Sequence, residues 1–151
     1  MRPIRAEMII NATARRVWNI ITDFDRYPQW NTFTPRITLR TADFSVGAEF
    51  DLDCRMTEKR LLANEHETIL VIDAGTFSFC MGTSRTRGRP GIKSFRWQIC
   101  EPLDAGRTRF INYEEFHGPL APLVRMMYAG RLEAAFQKYC RALKEYAELQ
   151  E

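Results

Sequence analysis

The sequence predicts an α+β fold in which a curved antiparallel sheet of about seven strands wraps around one long C-terminal helix. The middle of the chain alternates apolar and polar residues with period two, and short turn signals such as the Ala74–Gly75 pair separate the alternating runs. Apolar residues then recur with helical spacing from about Pro122 to Leu149, and we expect this helix to pack the face of Leu123, Met127, Phe136 and Leu143 on the concave sheet. Because the connections are short, neighbouring strands should be antiparallel, and so many twisted strands require strong curvature.

The chain opens with a strand and a short helix. In IRAEMII, Ile4, Ala6, Met8 and Ile10 alternate with a set that includes Arg5 and Glu7, which is the pattern of a strand with one buried face. The following NATARRVWNIITDF changes to helical spacing, with Thr13 available to cap the first turn and an expected end near Asp23.

The stretch DFDRYPQWNTFTPR predicts a second short helix. Its rings, Phe24, Tyr27, Trp30 and Phe33, follow at three-residue steps. Residues three apart share one face of a tight helical turn, while the two prolines of this stretch prevent a long regular helix. We therefore expect a plug or a lid at one end of the core.

The remaining strands are expected between about Arg36 and Phe116. They are predicted from alternation in RITLR, AEFDLDCRM, HETILVID, TFSFCMG, IKSFRWQICEP and TRFINYEEF. The second of these segments is the clearest, because Phe50, Leu52 and Cys54 alternate with acidic residues.

Composition favours one globular domain, residues 1–151. Of the 151 residues, 45% are hydrophobic, which is enough to bury one core. The formal charge of +3 is small and the basic residues are interspersed with acids, which argues against a nucleic-acid binder. Because no apolar run approaches the ~20 residues of a membrane-spanning helix, we expect a cytoplasmic protein without a transmembrane segment. We expect it to be either a monomer or a homodimer.

Cysteine and histidine usage predicts no metal site and no cofactor. The four cysteines are widely spaced among apolar neighbours, which favours buried free thiols over disulfides. His66 and His117 do not fall in a spacing that would set two ligands on one helical face.

Two separated segments, ATARRVWNIITDFDRYPQWNTFTPR and NYEEFHGPLAPL, resemble the first helix pair and the entry to the terminal helix of the SRPBCC or START-like helix-grip superfamily. This superfamily includes birch-pollen allergens, START lipid-transfer domains and polyketide cyclase/dehydrase-like proteins. The resemblance spans essentially the whole chain, but its VW, YP and WN landmarks belong to the scaffold and identify no reaction. It implies a deep cavity between the long helix and the concave sheet face, used across the superfamily for apolar molecules such as lipids, hormones and polyketides.

Strand alternation supplies candidate ligand-binding residues for such a cavity. It assigns to the concave face Phe77, Phe79 and Met81, then Phe95, Trp97 and Ile99, and finally Phe110, Asn112, Glu114 and Phe116. We predict a cavity of roughly 300–1,000 Å³, bounded by Trp30, Phe79, Trp97 and Phe110.

Residues from the helices complete this predicted site. Trp30 and Phe33 are expected either to close and line one end of the cavity or to serve plain core packing. Met127 and Tyr128 suit a variable apolar guest, and a bend at Gly130 would widen the cavity beside them.

Glu114 and Asn112 are polar residues on a face that should be dry. One interpretation pairs Glu114 with an arginine or turns it to solvent. The other makes it a cavity carboxyl with a raised pKa, which orients a ligand or acts as a general acid or base while Asn112 adds a hydrogen bond. An equally good interpretation of Asn112 is a core amide whose hydrogen bonds are satisfied within the protein.

A basic cluster surrounds the RTRGRPG loop. It comprises Arg85, Arg87, Arg89 and Lys93. A solvated hairpin tip is one interpretation, and an electropositive rim that attracts an anionic ligand is the other.

Three functions are compatible with these patterns. The first is a non-catalytic carrier or sensor of an apolar small molecule, favoured because no Ser/His/Asp set, Gly-rich phosphate loop or metal spacing is found. The alternative is a polyketide cyclase/dehydratase-like enzyme with Glu114, Asn112 and Tyr113 as its catalytic candidates. A quinone- or protein-binding module is the third.

Overall fold

The computed structural model describes residues 2–149 of the chain. The helices are α1 (Ala14–Thr22), a 3₁₀-helix (Phe24–Gln29) and α2 (Ala121–Leu149). The strands are β1 (Ile4–Ile10), β2 (Arg36–Leu39), β3 (Glu49–Thr57), β4 (Arg60–Asp73), β5 (Ser78–Thr83), β6 (Lys93–Asp104) and β7 (Arg107–His117). Within these residues, no helix has the length and apolar character required to cross a membrane.

The strands form one antiparallel sheet in the order β1-β7-β6-β5-β4-β3-β2. From β2 to β7 each strand pairs with its neighbour in sequence, as the short connections predicted, and β1 closes the far edge by pairing with β7. The helix α2 packs against β1, β3 and β7. The predicted helix-grip architecture, with two short helices after the first strand, is confirmed.

The long helix is buried mainly through its C-terminal half. Its buried side chains in this half include Leu132, Phe136, Tyr139, Cys140 and Leu143. The predicted packing of Phe136 and Leu143 is therefore confirmed. The predicted packing of Leu123 and Met127 is wrong, because they are 49% and 53% exposed. In the first turns only Ala121 is buried, since this part of the helix extends away from the packed core.

The short helices form as predicted and serve as a plug. The side chain of Thr13 accepts a hydrogen bond from the backbone nitrogen of Arg16 at 3.1 Å and caps α1. Beyond the 3₁₀-helix, the Trp30 ring stacks on Tyr139 and Tyr146 of α2, with centroids 5.6 and 5.8 Å apart. The ring-rich segment is thereby fixed against the long helix.

The predicted inward face of β6 is wrong. Arg96, Gln98 and Cys100 are buried on the concave face, so Phe95, Trp97 and Ile99 lie on the opposite face. The register agrees, because Arg96 is aligned with Met81 and Glu114, whereas Trp97 is aligned with Cys80 and Tyr113. The prediction chose the more apolar face, but the buried polar side chains of β6 have partners inside the core.

Two further differences from the predicted strands are local. Phe77 precedes β5 with a positive φ of 50° and packs half-buried beside Trp18. Strand β4 starts at Arg60 instead of near His66, because a hairpin joins it directly to β3. Asn64 interrupts that hairpin with a φ of 57°, and its backbone nitrogen donates to Asp53 Oδ1 at 2.8 Å.

Candidate functional site

A group of polar side chains lies in the protein interior, between the concave face of the sheet and α2. Its members are Glu67 from β4, Arg96 and Gln98 from β6, and Asn112 and Glu114 from β7. We call these five residues the interior polar cluster. The four residues on β6 and β7 are at most 8% exposed. Adjacent strands in fixed register hold them, since Arg96 is aligned with Glu114 and Gln98 with Asn112.

Arg96 is the centre of the cluster. Its Nε donates to Asn112 Oδ1 at 2.8 Å. Its guanidinium carbon lies 4.7, 5.0 and 4.9 Å from the ring centroids of Phe33, Phe136 and Tyr139. Such ring faces stabilise a buried cation, so the positive charge is held by aromatic rings and one amide.

Gln98 is satisfied by its neighbours. Its side-chain oxygen accepts the hydroxyl proton of Tyr139, and its Nε2 donates to the sulfur of Met81 at 3.5 Å. The Phe110 ring packs edge-on against Tyr139 with centroids 5.8 Å apart. This end of the cluster is therefore closed structure, and it positions Tyr139 beside Arg96.

The two carboxyls of the cluster have strongly perturbed acidities. Burial, followed by the charge of Glu114, raises the pKa of Glu67 to about 8, against the opposing charge of Arg96. Burial raises the pKa of Glu114 to about 7, opposed by Arg96 and by the Ser94 hydroxyl. Near neutral pH each group therefore exists in both protonation states, which suits proton donation and acceptance.

Three polar atoms of the cluster lack a protein partner. Among the described residues, no hydrogen-bond partner reaches Arg96 Nη2, Asn112 Nδ2 or Glu67 Oε2, and all three atoms are buried. An unsatisfied buried polar atom costs about 1–3 kcal/mol. Two donors and one carboxyl oxygen in the same interior region are thus suited to the polar group of a guest molecule.

The structure brings only part of the predicted ligand site together. Asn112, Glu114 and Phe33 belong to the cluster or contact it, and Phe79, Met81 and Phe110 are buried on the same side of the sheet. The other candidates lie elsewhere. Phe95, Trp97 and Tyr113 are on the convex face, Met127 is exposed, and Phe77 and Tyr128 lie at the periphery with Trp18 and Arg60, respectively.

The predicted cavity is not formed as described. Trp97 faces the wrong side of the sheet. Between the remaining boundary residues, rings are packed together: Trp30 and Phe110 contact Tyr139, while Phe79 contacts Trp18 at a centroid distance of 5.9 Å. The space expected for a guest at this end is filled by aromatic side chains.

Sequence reasoning missed Arg96, Gln98, Glu67 and Tyr139. A usable signal for the first two was present, because Arg96 and Gln98 alternate on β6 as Asn112 and Glu114 do on β7. Two polar pairs of equal spacing on consecutive strands indicate a shared face.

Two arginines of the basic loop, Arg87 and Arg89, are paired with carboxylates. Arg87 Nη2 lies 2.8 Å from Asp51 Oδ1, and Arg89 Nη2 lies 3.1 Å from Glu65 Oε1. Asp51 also contacts His66 Nδ1 at 2.7 Å. Hydrogen bonds from His66 and Arg87 hold the pKa of Asp51 below its usual value although burial acts to raise it.

Two clefts open on the surface near α2. The first, about 390 Å³, is lined by Thr13, Arg15, Arg16, Asn19, Ile20, Asp23, Arg26, Trp30 and Tyr146; we call it the α1 cleft. The second, about 410 Å³, is lined by Thr32, Arg55, Met56, Thr57, Glu58, Gly130, Arg131, Ala134, Ala135 and Lys138. Gly130 contributes to the second because its missing side chain leaves the helix surface open.

A sequence profile of the family described as "Polyketide cyclase / dehydrase and lipid transport" matches residues 1–148. No curated protein sequence is significantly similar to the chain.

Several solved structures share the fold. The di-domain ARO/CYC protein BexL matches with a TM-score of 0.77 at 13% identity over 99% of this chain, which spans 47% of BexL. The Zhui aromatase/cyclase from a Streptomyces species matches with a TM-score of 0.75 at 15% identity, over 97% of this chain and 93% of its own. Norcoclaurine synthase from Thalictrum flavum, in complex with dopamine and hydroxybenzaldehyde, matches with a TM-score of 0.71 at 14% identity. The match covers 99% of this chain and 88% of the synthase chain. At these identities the likeness concerns the fold.

Proposed function

Because the chain belongs to the polyketide cyclase/dehydrase and lipid transport family, we propose that it binds an apolar small molecule whose oxygen-bearing end reaches the interior polar cluster. The observation that carries the proposal is the group of three buried, unpaired polar atoms on Arg96, Asn112 and Glu67. A ligand carbonyl would accept from the two nitrogens, and a ligand hydroxyl would donate to the carboxyl oxygen.

The surroundings of the cluster suit an apolar ligand body. Phe33 and Phe136 cover the guanidinium, and the buried side chain of Cys54 lies close enough for the charges of Glu67 and Arg96 to act on its thiol. Mostly apolar walls with a few convergent polar groups are typical of small-molecule sites.

Ligand entry requires movement of the protein, because the cluster is covered. We assign this movement to the first turns of α2, where Leu123, Met126 and Met127 are 49–78% exposed and only Ala121 is buried. A segment with few buried apolar contacts opens at low free-energy cost.

Calorimetry with uncharged bicyclic phenols tests the proposal. We expect 2-naphthol to bind more tightly than naphthalene, because only the phenol has an oxygen for the cluster. Removing the carboxyl that bears the unpaired oxygen, in Glu67→Met, should weaken 2-naphthol binding roughly three- to tenfold, the value of one hydrogen bond of ~0.5–1.5 kcal/mol. The matched control is Glu115→Met on β7, which removes a carboxylate that contacts His117 at 3.2 Å outside the cluster. Equal affinities for phenol and hydrocarbon, or equal effects of both variants, would contradict the proposal.

A second candidate function is catalysis of a cyclisation or dehydration. The observation that favours it is the pair of carboxyls with pKa values of about 8 and 7 in one apolar region. One carboxylate can remove a proton beside a ligand carbonyl while the other, protonated, donates to the departing oxygen. With a short linear polyketone as probe, an enzyme would lose turnover in Glu114→Gln while retaining most affinity. A carrier would show no turnover in the wild type.

A further inference from the structure

We propose that the α1 cleft is a second binding site, separate from the interior polar cluster, for a small organic molecule that carries a carboxylate or phosphate group. The cleft lies where α1, the 3₁₀-helix and the end of α2 meet. Its volume of about 390 Å³ is sufficient for a small organic molecule and larger than a bare ion needs.

Hydrogen-bond donors dominate the cleft. Arg15, Arg16 and Arg26 line it together with the amide of Asn19 and the indole of Trp30. Guanidinium and indole groups donate hydrogen bonds and accept none. A ligand that satisfies this wall must supply acceptors, and an oxyanion supplies the most in the smallest volume.

Two of these donors are buried without an acceptor. Arg16 Nε donates to the Ala147 carbonyl at 2.9 Å, but no acceptor among the described residues reaches Arg16 Nη2. Trp30 Nε1 is likewise buried and unpaired, and the residue is only 7% exposed. Each unmet donor carries a desolvation cost, which a bound oxyanion would relieve after small side-chain adjustments.

The net charge of the residues that line the cleft favours an anion, even when the carboxylate of Asp23 is included. Asp23 is the one carboxylate among the lining residues, and Arg26 Nε lies 3.2 Å from its Oδ2. Within residues 2–149, Arg15 and Arg16 form no salt bridge, and the guanidinium carbon of Arg15 lies 5.3 Å from the Phe77 ring centroid. A guanidinium pairs well with planar or tetrahedral oxyanions.

The cleft also contains apolar surface for the body of an organic anion. Ile20 and the Tyr146 ring line it, and Tyr146 stacks on Trp30 with an interplanar angle of 22°. An aromatic carboxylate or aryl phosphate therefore fits the lining better than an inorganic ion.

Nitrogen-15 NMR of the indole N–H groups tests the proposal. The chain has three tryptophans, and loss of one signal in Trp30→Phe assigns the relevant one. The probes are benzoate, phenyl phosphate, inorganic phosphate and the neutral analogue benzamide, at constant ionic strength. We expect benzoate or phenyl phosphate to shift the Trp30 signal saturably, with inorganic phosphate weaker and benzamide inactive. The stronger of the two organic probes identifies the preferred oxyanion.

Variants separate this site from general charge effects and from the interior site. Arg16→Gln and Arg15→Gln should each weaken the binding of the active probe at least threefold. Arg5→Gln removes an exposed arginine that pairs with Glu7 on β1 and should leave binding unchanged, as should Glu114→Gln. A Trp30 signal that responds to no anion, a response to benzamide equal to that to benzoate, or equal weakening in Arg5→Gln would overturn the proposal.

Discussion

At the scale of single residues, two buried carboxyls link folding to pH. Burial raises the pKa of Glu67 to about 8 and that of Glu114 to about 7, from an ordinary value of 4.5. The folded protein therefore retains protons that the unfolded chain releases. Stability from these groups is fully present below about pH 4.5 and is lost as the pH rises through about 7 and 8.

We expect this loss to disappear when the carboxyls are replaced by amides. Between pH 5.5 and 8.5 the wild type should lose roughly 1–3 kcal/mol of unfolding free energy per carboxyl relative to the Glu67→Gln/Glu114→Gln double variant, because one pKa unit corresponds to ~1.4 kcal/mol. Urea unfolding at the two pH values measures the difference. Parallel pH dependence in both proteins would show that these groups do not titrate in this range.

The residues of the site were only partly predictable from sequence. Alternation with Phe110 correctly places Asn112 and Glu114 inside. The same alternation gives the wrong inward face for β6, because the more apolar of its two faces was expected to be buried. The Arg96 side chain is buried instead, since three aromatic rings and one amide stabilise its charge. Such compensation comes from distant segments of the chain, which one strand's own pattern does not contain.

At the scale of elements, the glycines of α2 and β5 should respond oppositely to substitution. A Cβ at Gly130 would meet nothing within 4 Å, so Gly130→Ala should stabilise the fold by up to ~1 kcal/mol through helix propensity. A Cβ at Gly82 would lie 2.4 Å from the Ser94 carbonyl oxygen. Gly82→Ala should therefore destabilise the fold.

Thermal and urea unfolding of both glycine variants provide the measurement. Because Gly130 lines the second cleft, Gly130→Ala also narrows that opening without touching the interior polar cluster. Destabilisation by Gly130→Ala would show that α2 needs local flexibility at this position, contrary to its formation as one continuous helix from Ala121 to Leu149.

Element boundaries were well predicted where a periodic pattern ends at a turn or a cap, as at Thr13 and near Asp23. The predicted packing face of α2 was correct only in the second half of the helix. Helical spacing reports which residues share a face, but Leu123 and Met127 are exposed because the core does not reach the first turns of the helix. The extent of a core is a tertiary property.

At the scale of the whole molecule, the curved sheet and α2 enclose a largely apolar interior that contains polar groups. The sheet order and the antiparallel hairpins follow from strand spacing and short loops, which the sequence displays. The content of the interior depends on register between β4, β6 and β7, and register is set jointly by all strands. The architecture was therefore predictable, and the interior polar cluster in large part was not.

Native mass spectrometry of protein isolated from its own host tests most directly whether this interior holds an apolar guest. Wild type and Glu115→Met should each carry one small apolar molecule, and Glu67→Met should carry it at clearly reduced occupancy, because this variant removes the unpaired carboxyl oxygen of the interior polar cluster and the control does not. A wild-type protein free of any guest, or equal occupancy in all three proteins, would contradict the assignment of the ligand site to this cluster.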